Sequence, residues 1–148
     1  MKAVGYFQPR PVSAADALVD IEVPEPQLQP RDLLVRIEAI SVNPADVKLR
    51  GSAMPPEGSP RILGYDAVGV VEAVGTEASL FATGDAVFYA GVIDRPGTYA
   101  ELHAVDERLV GPKPAGLDAA RAAALPLTAL TAWELLFDHL GVPLGGRN

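Results

Sequence analysis

The stretch Arg61–Gly75, RILGYDAVGVVEAVG, decides the fold of this chain. Its second half, Ala67–Val74, is rich in valine and has a glycine at its centre, which is typical of a strand that bulges or closely approaches other backbone. A glycine and the polar pair Tyr65–Asp66 precede the strand. A polar pair at this point needs a structural or functional reason, and the rest of the sequence has to supply it.

Strand-like runs lie on both sides of this stretch. They are Ala3–Phe7, Leu18–Val23 and Leu33–Ile40 before it, and Ala86–Ala90, Thr98–Val105 and Arg108–Val110 after it. In the third run Leu33, Val35, Ile37 and Ala39 occupy alternate positions, which predicts a strand with one face toward a core. Many short strands separated by glycine and proline turns predict a barrel or a sandwich.

Helical signals are confined to two regions. Pro44–Arg50 predicts a short helix with Asn43 as N-cap and Gly51 at its end. The following segment, 51–61, is rich in proline and small residues, which predicts an irregular and mobile flap. After Pro114 the pattern changes to helices.

Two C-terminal helices are predicted at 117–125, with Asp118 as N-cap, and at 127–140. The second is apolar on more than one face, which indicates two packing partners and places Trp133 in the core. The fold class that follows is mostly β with C-terminal helices.

Composition limits the possible functions. The 148 residues suffice for one main domain that buries roughly 70% of its unfolded surface. With no cysteine, disulfides and thiolate metal sites are excluded. A net charge of −7 argues against nucleic-acid and anionic-membrane binding. Since neither a membrane span nor a signal sequence is recognisable, we expect a soluble, cytoplasmic protein.

Five motifs occur in an order that resembles the N-terminal catalytic domain of medium-chain dehydrogenases/reductases. They are SVNPADVKLRG, ILGYDAVGVVEAVG, GDAVFYAG, RPGTYAELHAVDERLVGPKP and AALPLTALTAWELLF. Within that superfamily the chain is most similar to zinc-type alcohol dehydrogenase-like and quinone oxidoreductase-like proteins. The resemblance implies a GroES-like β-barrel over 1–125. It also implies that 126–148 is a helix and linker leading to a Rossmann cofactor domain absent from this chain.

The resemblance also explains the Tyr65–Asp66 pair. In zinc-dependent relatives these positions hold His-Glu, whose histidine binds the catalytic zinc, and cysteine ligands stand at the positions of Asn43 and near Leu127. Catalytic zinc needs three protein ligands and an open position. We therefore expect no metal and a zinc-independent hydride transfer from NAD(P)H to a quinone, enone or related carbonyl.

The positions that match the motifs of this superfamily supply the candidate site residues. Asn43 could donate to a substrate oxygen or bind the nicotinamide ribose, Tyr65 offers a hydroxyl, and Lys48 offers a positive charge. By resemblance, Thr131 and Thr128 face the cofactor and Tyr89 lines the substrate pocket.

Each candidate also has a purely structural interpretation. Asn43 could serve as a helix cap, Tyr65 as a packing aromatic and Lys48 as a solvated lysine, while the two threonines could bond back to their own helix. His103 is expected to be structural.

The resemblance favours NADP(H) over NAD(H), bound mainly by the missing domain, although the residue that would distinguish them is expected downstream. The expected partner is a small carbonyl or quinone, and the full-length protein is expected to be a homodimer. This chain alone should be inactive. Two alternatives are a non-catalytic GroES-like binding module and a small-molecule sensor.

Overall fold

The computed structural model describes residues 1–145, and the last part of the predicted linker, residues 146–148, lies outside them. Within these described residues, eight strands and three α-helices follow one another. The strands are β1 Lys2–Tyr6, β2 Val19–Glu22, β3 Asp32–Ser41, β4 Arg61–Ile62, β5 Asp66–Val74, β6 Ala86–Ala90, β7 Leu102–Asp106 and β8 Val110–Pro112. The helices are α1 Pro44–Ser52, α2 Ala119–Ala123 and α3 Pro126–Trp133, which continues as a π-helix over Glu134–His139.

The strands form two antiparallel sheets. One has the order β2-β1-β4 and the other the order β7-β3-β5-β6-β8. A bridge between Ala3 and Ala100 joins β1 to the segment before β7, and the backbone N–H of Val4 donates to Tyr99 O at 2.8 Å. The fold class predicted from the sequence, mostly β with C-terminal helices, is confirmed.

Strand β5 is the centre of the fold because both of its faces are covered. Ala67 and Val71 pack into the main core with Leu33, Val35, Val87, Tyr89 and Val105. On the opposite face, Val68 packs against Ala122 and Ala123 of α2. At Gly69 a side chain would collide with the carbonyl oxygen of Arg36 on β3. The valine-rich run with its central glycine thus has the close backbone approach that its sequence predicts.

Most predicted elements lie within two residues of their predicted bounds, but four predictions need correction. Helix α1 continues through Gly51 to Ser52 and ends where the N–H of Ala53 donates to Leu49 O. The predicted strand Thr98–Val105 begins only at Leu102. Arg108 and Leu109, the first two residues of the predicted strand Arg108–Val110, lie in a 3-10 turn over Glu107–Leu109, and only Val110 belongs to a strand, β8. The two-residue strand β4 lies at the end of the predicted flap.

The 3-10 turn has a clear physical cause. Asp106 caps it by accepting the N–H of Arg108 at 2.9 Å. Glu107 is fully buried and accepts the N–H groups of Ser79 and Leu80, each at 2.7 Å. Because Ser79 and Leu80 lie about 27 residues earlier in the chain, the local sequence reveals only the Asp106 cap and not the contacts that bury Glu107.

Candidate active site

A buried hydrogen-bond network joins the N-terminus of α1 to the start of β5 at the centre of the candidate site. Asn43, Asp46 and Asp66 are each at most 5% exposed. The side-chain Nδ2 of Asn43 donates to Asp66 Oδ2 at 2.9 Å. The backbone N–H of Asn43 donates to Asp46 Oδ2 at 2.8 Å, while Asp46 Oδ1 accepts the N–H of Gly64 at 3.0 Å. The predicted N-cap position of Asn43 is confirmed, and its amide points to a second strand.

Gly64 makes this network possible. It has a φ of 107°, in the left-handed region that L side chains rarely adopt. A Cβ at this position would also collide with Thr98 Oγ1. The turn before β5 can therefore bring its N–H to Asp46 and its next two residues to the site only with glycine here.

Asp66 connects this network to α3. Its Oδ1 accepts the backbone N–H of Leu127, the second residue of α3, at 2.8 Å. The first N–H groups of a helix have no partner inside the helix, and the positive end of the helix dipole attracts a carboxylate. One buried carboxylate thus binds both the Asn43 amide and the start of α3.

The pKa of Asp66 is raised above its ordinary value. Burial is the largest cause, and the neighbouring Asp46 carboxylate adds to it. The hydrogen bonds from Asn43 and Leu127 act in the opposite direction, because they stabilise the ionised form. The network therefore holds a carboxylate at an electrostatic cost that two donors partly offset.

Tyr65 is half-buried beside this network. Its carbonyl accepts the N–H of Gly91 at 2.8 Å, which fixes the backbone against the end of β6. Burial raises the pKa of the Tyr65 phenol, and the Asp46 carboxylate raises it further, although Arg61 lowers it. The phenol is therefore protonated at neutral pH and can donate a hydrogen bond.

Lys48 lies on the exposed side of α1. Among residues 1–145, no ion pair joins its ammonium to a carboxylate. The structure does not bring it into the network of Asn43 and Asp66. Its position fits the solvated interpretation, and its catalytic role stays a prediction.

Thr128 and Thr131 are exposed on α3. The hydroxyl of Thr128 lies 3.0 Å from the carbonyl oxygens of both Ala124 and Leu125, and that of Thr131 donates to Leu127 O at 2.8 Å. Both hydroxyls thus use their hydrogen within the helix, as the structural interpretation predicts. Since both residues are exposed, each hydroxyl oxygen can still accept a hydrogen bond from a ligand.

Tyr89 lies in the main core and is 2% exposed. Its hydroxyl is 3.0 Å from His103 Nδ1, and the two rings stack with centroids 5.5 Å apart. His103 Nε2 lies 3.1 Å from Pro96 O, so the tautomer with hydrogen on Nε2 satisfies both contacts. The structural role expected for His103 matches this geometry. Tyr89 is buried among residues 1–145, and its predicted substrate contact stays a prediction.

The positions expected to hold zinc in relatives do not form a zinc site here. The Asn43 amide is engaged with Asp66, Tyr65 offers a protonated phenol, and Leu127 has no donor side chain. Within residues 1–145 no three acidic, histidine or cysteine side chains are grouped closely enough to hold a metal ion. The donor set therefore does not fit catalytic zinc.

The link from Asp66 to the backbone of Leu127 is the main feature that sequence reasoning missed. The two residues are 61 positions apart. The only signal for it was the polar pair at the start of a buried strand, which indicates a carboxylate that needs partners but does not name them.

A large groove among the described residues lies elsewhere. It measures about 860 Å³ and runs between β1, β2 and β3, with Val4, Ile21, Ile37 and Ala39 among its lining residues. None of Asn43, Tyr65, Thr128 and Thr131 lines it. No helix within residues 1–145 has the length and hydropathy to cross a membrane.

Comparison with known proteins identifies the family. The sequence profile of the alcohol dehydrogenase GroES-like domain matches residues 29–115, more than half of the chain. A zinc-type alcohol dehydrogenase-like protein of Staphylococcus epidermidis is 41% identical over 142 residues, which are 96% of this chain and 42% of that protein. The chain thus spans less than half the length of this relative.

Solved structures agree with this result. A Rhizobium etli CFN 42 protein, described as a candidate zinc-dependent alcohol dehydrogenase, superimposes with a TM-score of 0.92 at 54% identity, covering 99% of this chain and 43% of that one. The Escherichia coli quinone oxidoreductase complexed with NADPH gives a TM-score of 0.79 at 26% identity, covering 92% and 40%. This chain therefore belongs to the medium-chain dehydrogenase/reductase superfamily, in which it forms the alcohol dehydrogenase GroES-like domain.

Proposed function

We propose that this chain is the substrate-binding part of an NADP(H)-dependent oxidoreductase that reduces a quinone, an enone or a related carbonyl without zinc. The observation that carries the proposal is the connection of a buried amide, Asn43, to the exposed helix α3 through Asp66. The Escherichia coli quinone oxidoreductase, which was solved with NADPH, supports the reaction class by similarity.

The residues on α3 suit a nicotinamide cofactor. Thr128 and Thr131 are exposed and keep their oxygen lone pairs free, so they can accept hydrogen bonds from a carboxamide NH2 or a ribose hydroxyl. When bound, the cofactor would supply the hydride. The chain itself would hold the nicotinamide against the helix and leave the phosphates to another part of the protein, since every strand pair in residues 1–145 is antiparallel and offers no parallel nucleotide-binding sheet.

The carbonyl substrate needs a hydrogen-bond donor where negative charge develops on its oxygen. Tyr65 is the best candidate in the described residues because its phenol stays protonated and lies close enough to Asp46 for that carboxylate to raise its pKa. The second hydrogen of Asn43 Nδ2 is a further donor, because Asp66 takes only one of the two. Lys48 would add a positive potential at longer range.

The test is an assay of the full-length protein that carries this chain. NADPH oxidation is followed with a quinone and with an α,β-unsaturated ketone, before and after treatment with a zinc chelator, and zinc content is measured by mass spectrometry. We expect turnover that the chelator does not change and less than one zinc per ten chains. Stoichiometric zinc, or activity abolished by the chelator, would refute zinc independence. Tight NADPH binding without turnover of either substrate would favour the sensor alternative.

A further inference from the structure

The Asp66 carboxylate contacts two separate parts of the candidate site. One oxygen accepts the Asn43 amide at 2.9 Å and the other accepts the Leu127 N–H at 2.8 Å. The side chain is fully buried, and Thr98 Oγ1 also donates to the Asp66 carbonyl oxygen at 3.3 Å. Its backbone is held on both sides as well, since Asp66 pairs with Ser41 of β3 and Ala90 of β6. Asp66 is thus a fixed point from which both contacts are made.

An ionised carboxylate only accepts hydrogen bonds, so it imposes an orientation on each partner. The Asn43 amide must turn its NH2 group toward Asp66, which sets the direction of its oxygen and of its second N–H. The first turn of α3 must bring an N–H to the same carboxylate. The relative position of Asn43 and α3 is therefore determined by one side chain.

We propose that Asp66 is a positioning residue for the reaction. It holds the Asn43 amide at a fixed distance from the hydroxyls of Thr128 and Thr131, so that substrate and nicotinamide meet in one geometry. This inference rests on the proposed function and adds to it a residue that touches neither ligand. Asp46 does not share this role. Its two carboxylate oxygens accept the backbone N–H groups of Asn43 and Gly64, so they do not orient the Asn43 side chain.

The chemistry of the position predicts which substitutions fail. Asparagine at position 66 has the shape of aspartate but only one accepting oxygen. If that oxygen accepts from Leu127, the new NH2 group faces the NH2 of Asn43, which must flip or lose its bond. Glutamate keeps both oxygens but adds a methylene in a fully packed place, which displaces α3.

The functional test compares Asp66→Asn with the matched control Asp118→Asn in the full-length protein. Asp118 also accepts an N–H at a helix start, that of Arg121 in α2, at 2.8 Å, but has no contact with Asn43. We expect Asp66→Asn to weaken NADPH binding and to lower kcat, each roughly tenfold or more, because small displacements of reacting groups are costly. We expect Asp118→Asn to leave both within about twofold. Wild-type kinetics in Asp66→Asn, or equal losses in both variants, would overturn the inference.

A second measurement tests, independently of activity, the bridge that Asp66 forms between the Asn43 side chain and the Leu127 N–H. In full-length protein labelled with ¹⁵N at leucine and asparagine, the signals of the Leu127 N–H and the Asn43 side-chain NH2 are compared among wild type and both variants. Asp66→Asn should shift both signals, and Asp118→Asn should shift neither. Unmoved signals in Asp66→Asn would refute the bridge. Wild-type protein that neither binds nor oxidises NADPH would instead refute the proposed function, so the two failures are distinguishable.

Discussion

At the scale of single residues, most side chains of the candidate site already donate a hydrogen bond inside the protein. Asn43 donates to Asp66, and the hydroxyls of Thr128 and Thr131 donate to their own helix. Tyr65 differs, because its phenol makes no hydrogen bond within residues 1–145. Since no buried side-chain N or O atom in this part of the chain lacks a partner, the Tyr65 hydroxyl is open to solvent or ligand. A substrate could therefore accept a hydrogen bond from Tyr65 without breaking one inside the protein.

Replacing Tyr65 by phenylalanine separates a catalytic role from a packing role. Removal of an unpaired hydroxyl should change the free energy of unfolding by less than about 0.5 kcal/mol. If the phenol stabilises the developing oxyanion, kcat of the full-length protein should fall about 100-fold. Chemical denaturation and steady-state kinetics measure the two quantities. Unchanged kcat would leave Tyr65 with a packing role only.

Tyr89→Phe is the matched comparison and should behave in the opposite way. It removes the contact with His103 in the core, so the free energy of unfolding should fall by about 1–3 kcal/mol. Its kcat and KM should stay near wild type, because the side chain is buried away from any open surface. A clear rise of KM in Tyr89→Phe would restore the substrate contact that the sequence predicts for it.

His103 should make stability depend on pH. Burial lowers its pKa from 6.5 to about 4. The unfolded chain therefore takes up the proton more readily than the folded one, so the contribution of neutral His103 is complete above about pH 6.5. It is lost as pH falls from 6.5 toward 4, by about 3 kcal/mol in total. Denaturation at several pH values should show this slope in wild type and in His139→Gln, whose histidine is exposed. His103→Gln should lose the slope, and a slope that persists would contradict the assignment.

At the scale of elements, the sequence correctly predicts the features that depend only on neighbouring residues, namely strand faces and helix caps. The alternation in β3 gives the correct buried face, with Leu33 and Val35 fully buried and Arg36 and Glu38 exposed. Asn43 and Asp118 cap their helices as their positions predict. These features follow from side-chain periodicity and local capping, which act over a few residues.

What the sequence could not supply depends on distant partners. The 3-10 turn at 107–109 exists because Glu107 reaches the N–H groups of Ser79 and Leu80. The site is assembled in the same way, since Asp66 reaches Leu127 only when α3 packs beside β5. Because the partners are far apart in the sequence, the pattern of neighbouring residues does not predict these contacts.

The turn before β5 gives a prediction at this scale. Gly64→Ala should lower the free energy of unfolding by at least about 2 kcal/mol, because a side chain at positive φ meets Thr98 and Tyr99. Gly51→Ala is the control, since this glycine lies in α1 with open space around it. That substitution should stabilise the protein by about 0.5–1 kcal/mol. Urea denaturation measures both, and equal effects of the two substitutions would show that φ and crowding at Gly64 do not matter.

At the scale of the whole molecule, the C-terminal helix has one partner within residues 1–145 and presents the rest of its apolar surface. Its start is held by Asp66, and Pro126 is buried. Further along, the large apolar side chains are exposed: Leu130 by 54%, Trp133 by 52%, Leu136 by 42% and Leu140 by 64%. The prediction that Trp133 lies in the core is wrong for residues 1–145, where half of its surface is exposed. Its ring centroid lies 4.6 Å from that of Phe137 on the same helix. The sequence predicts two apolar faces on this helix, and within residues 1–145 only one of them is packed against other residues. Trp133 lies on the exposed face.

This uncovered face should make the 148-residue chain associate with itself when it is prepared alone. A contiguous apolar surface of several large side chains is unusual on monomers and favours association. Sedimentation velocity over a range of concentrations should show dimers or larger species for the wild-type chain. Trp133→Glu and Leu130→Glu, which place charges in the middle of the face, should shift it to monomer. Val12→Glu is the control, because Val12 is even more exposed at 79% but lies outside the helix. If all three variants and the wild type sediment as monomers, the helix face does not drive association. If Val12→Glu also dissolves the oligomer, the contact lies elsewhere on the molecule.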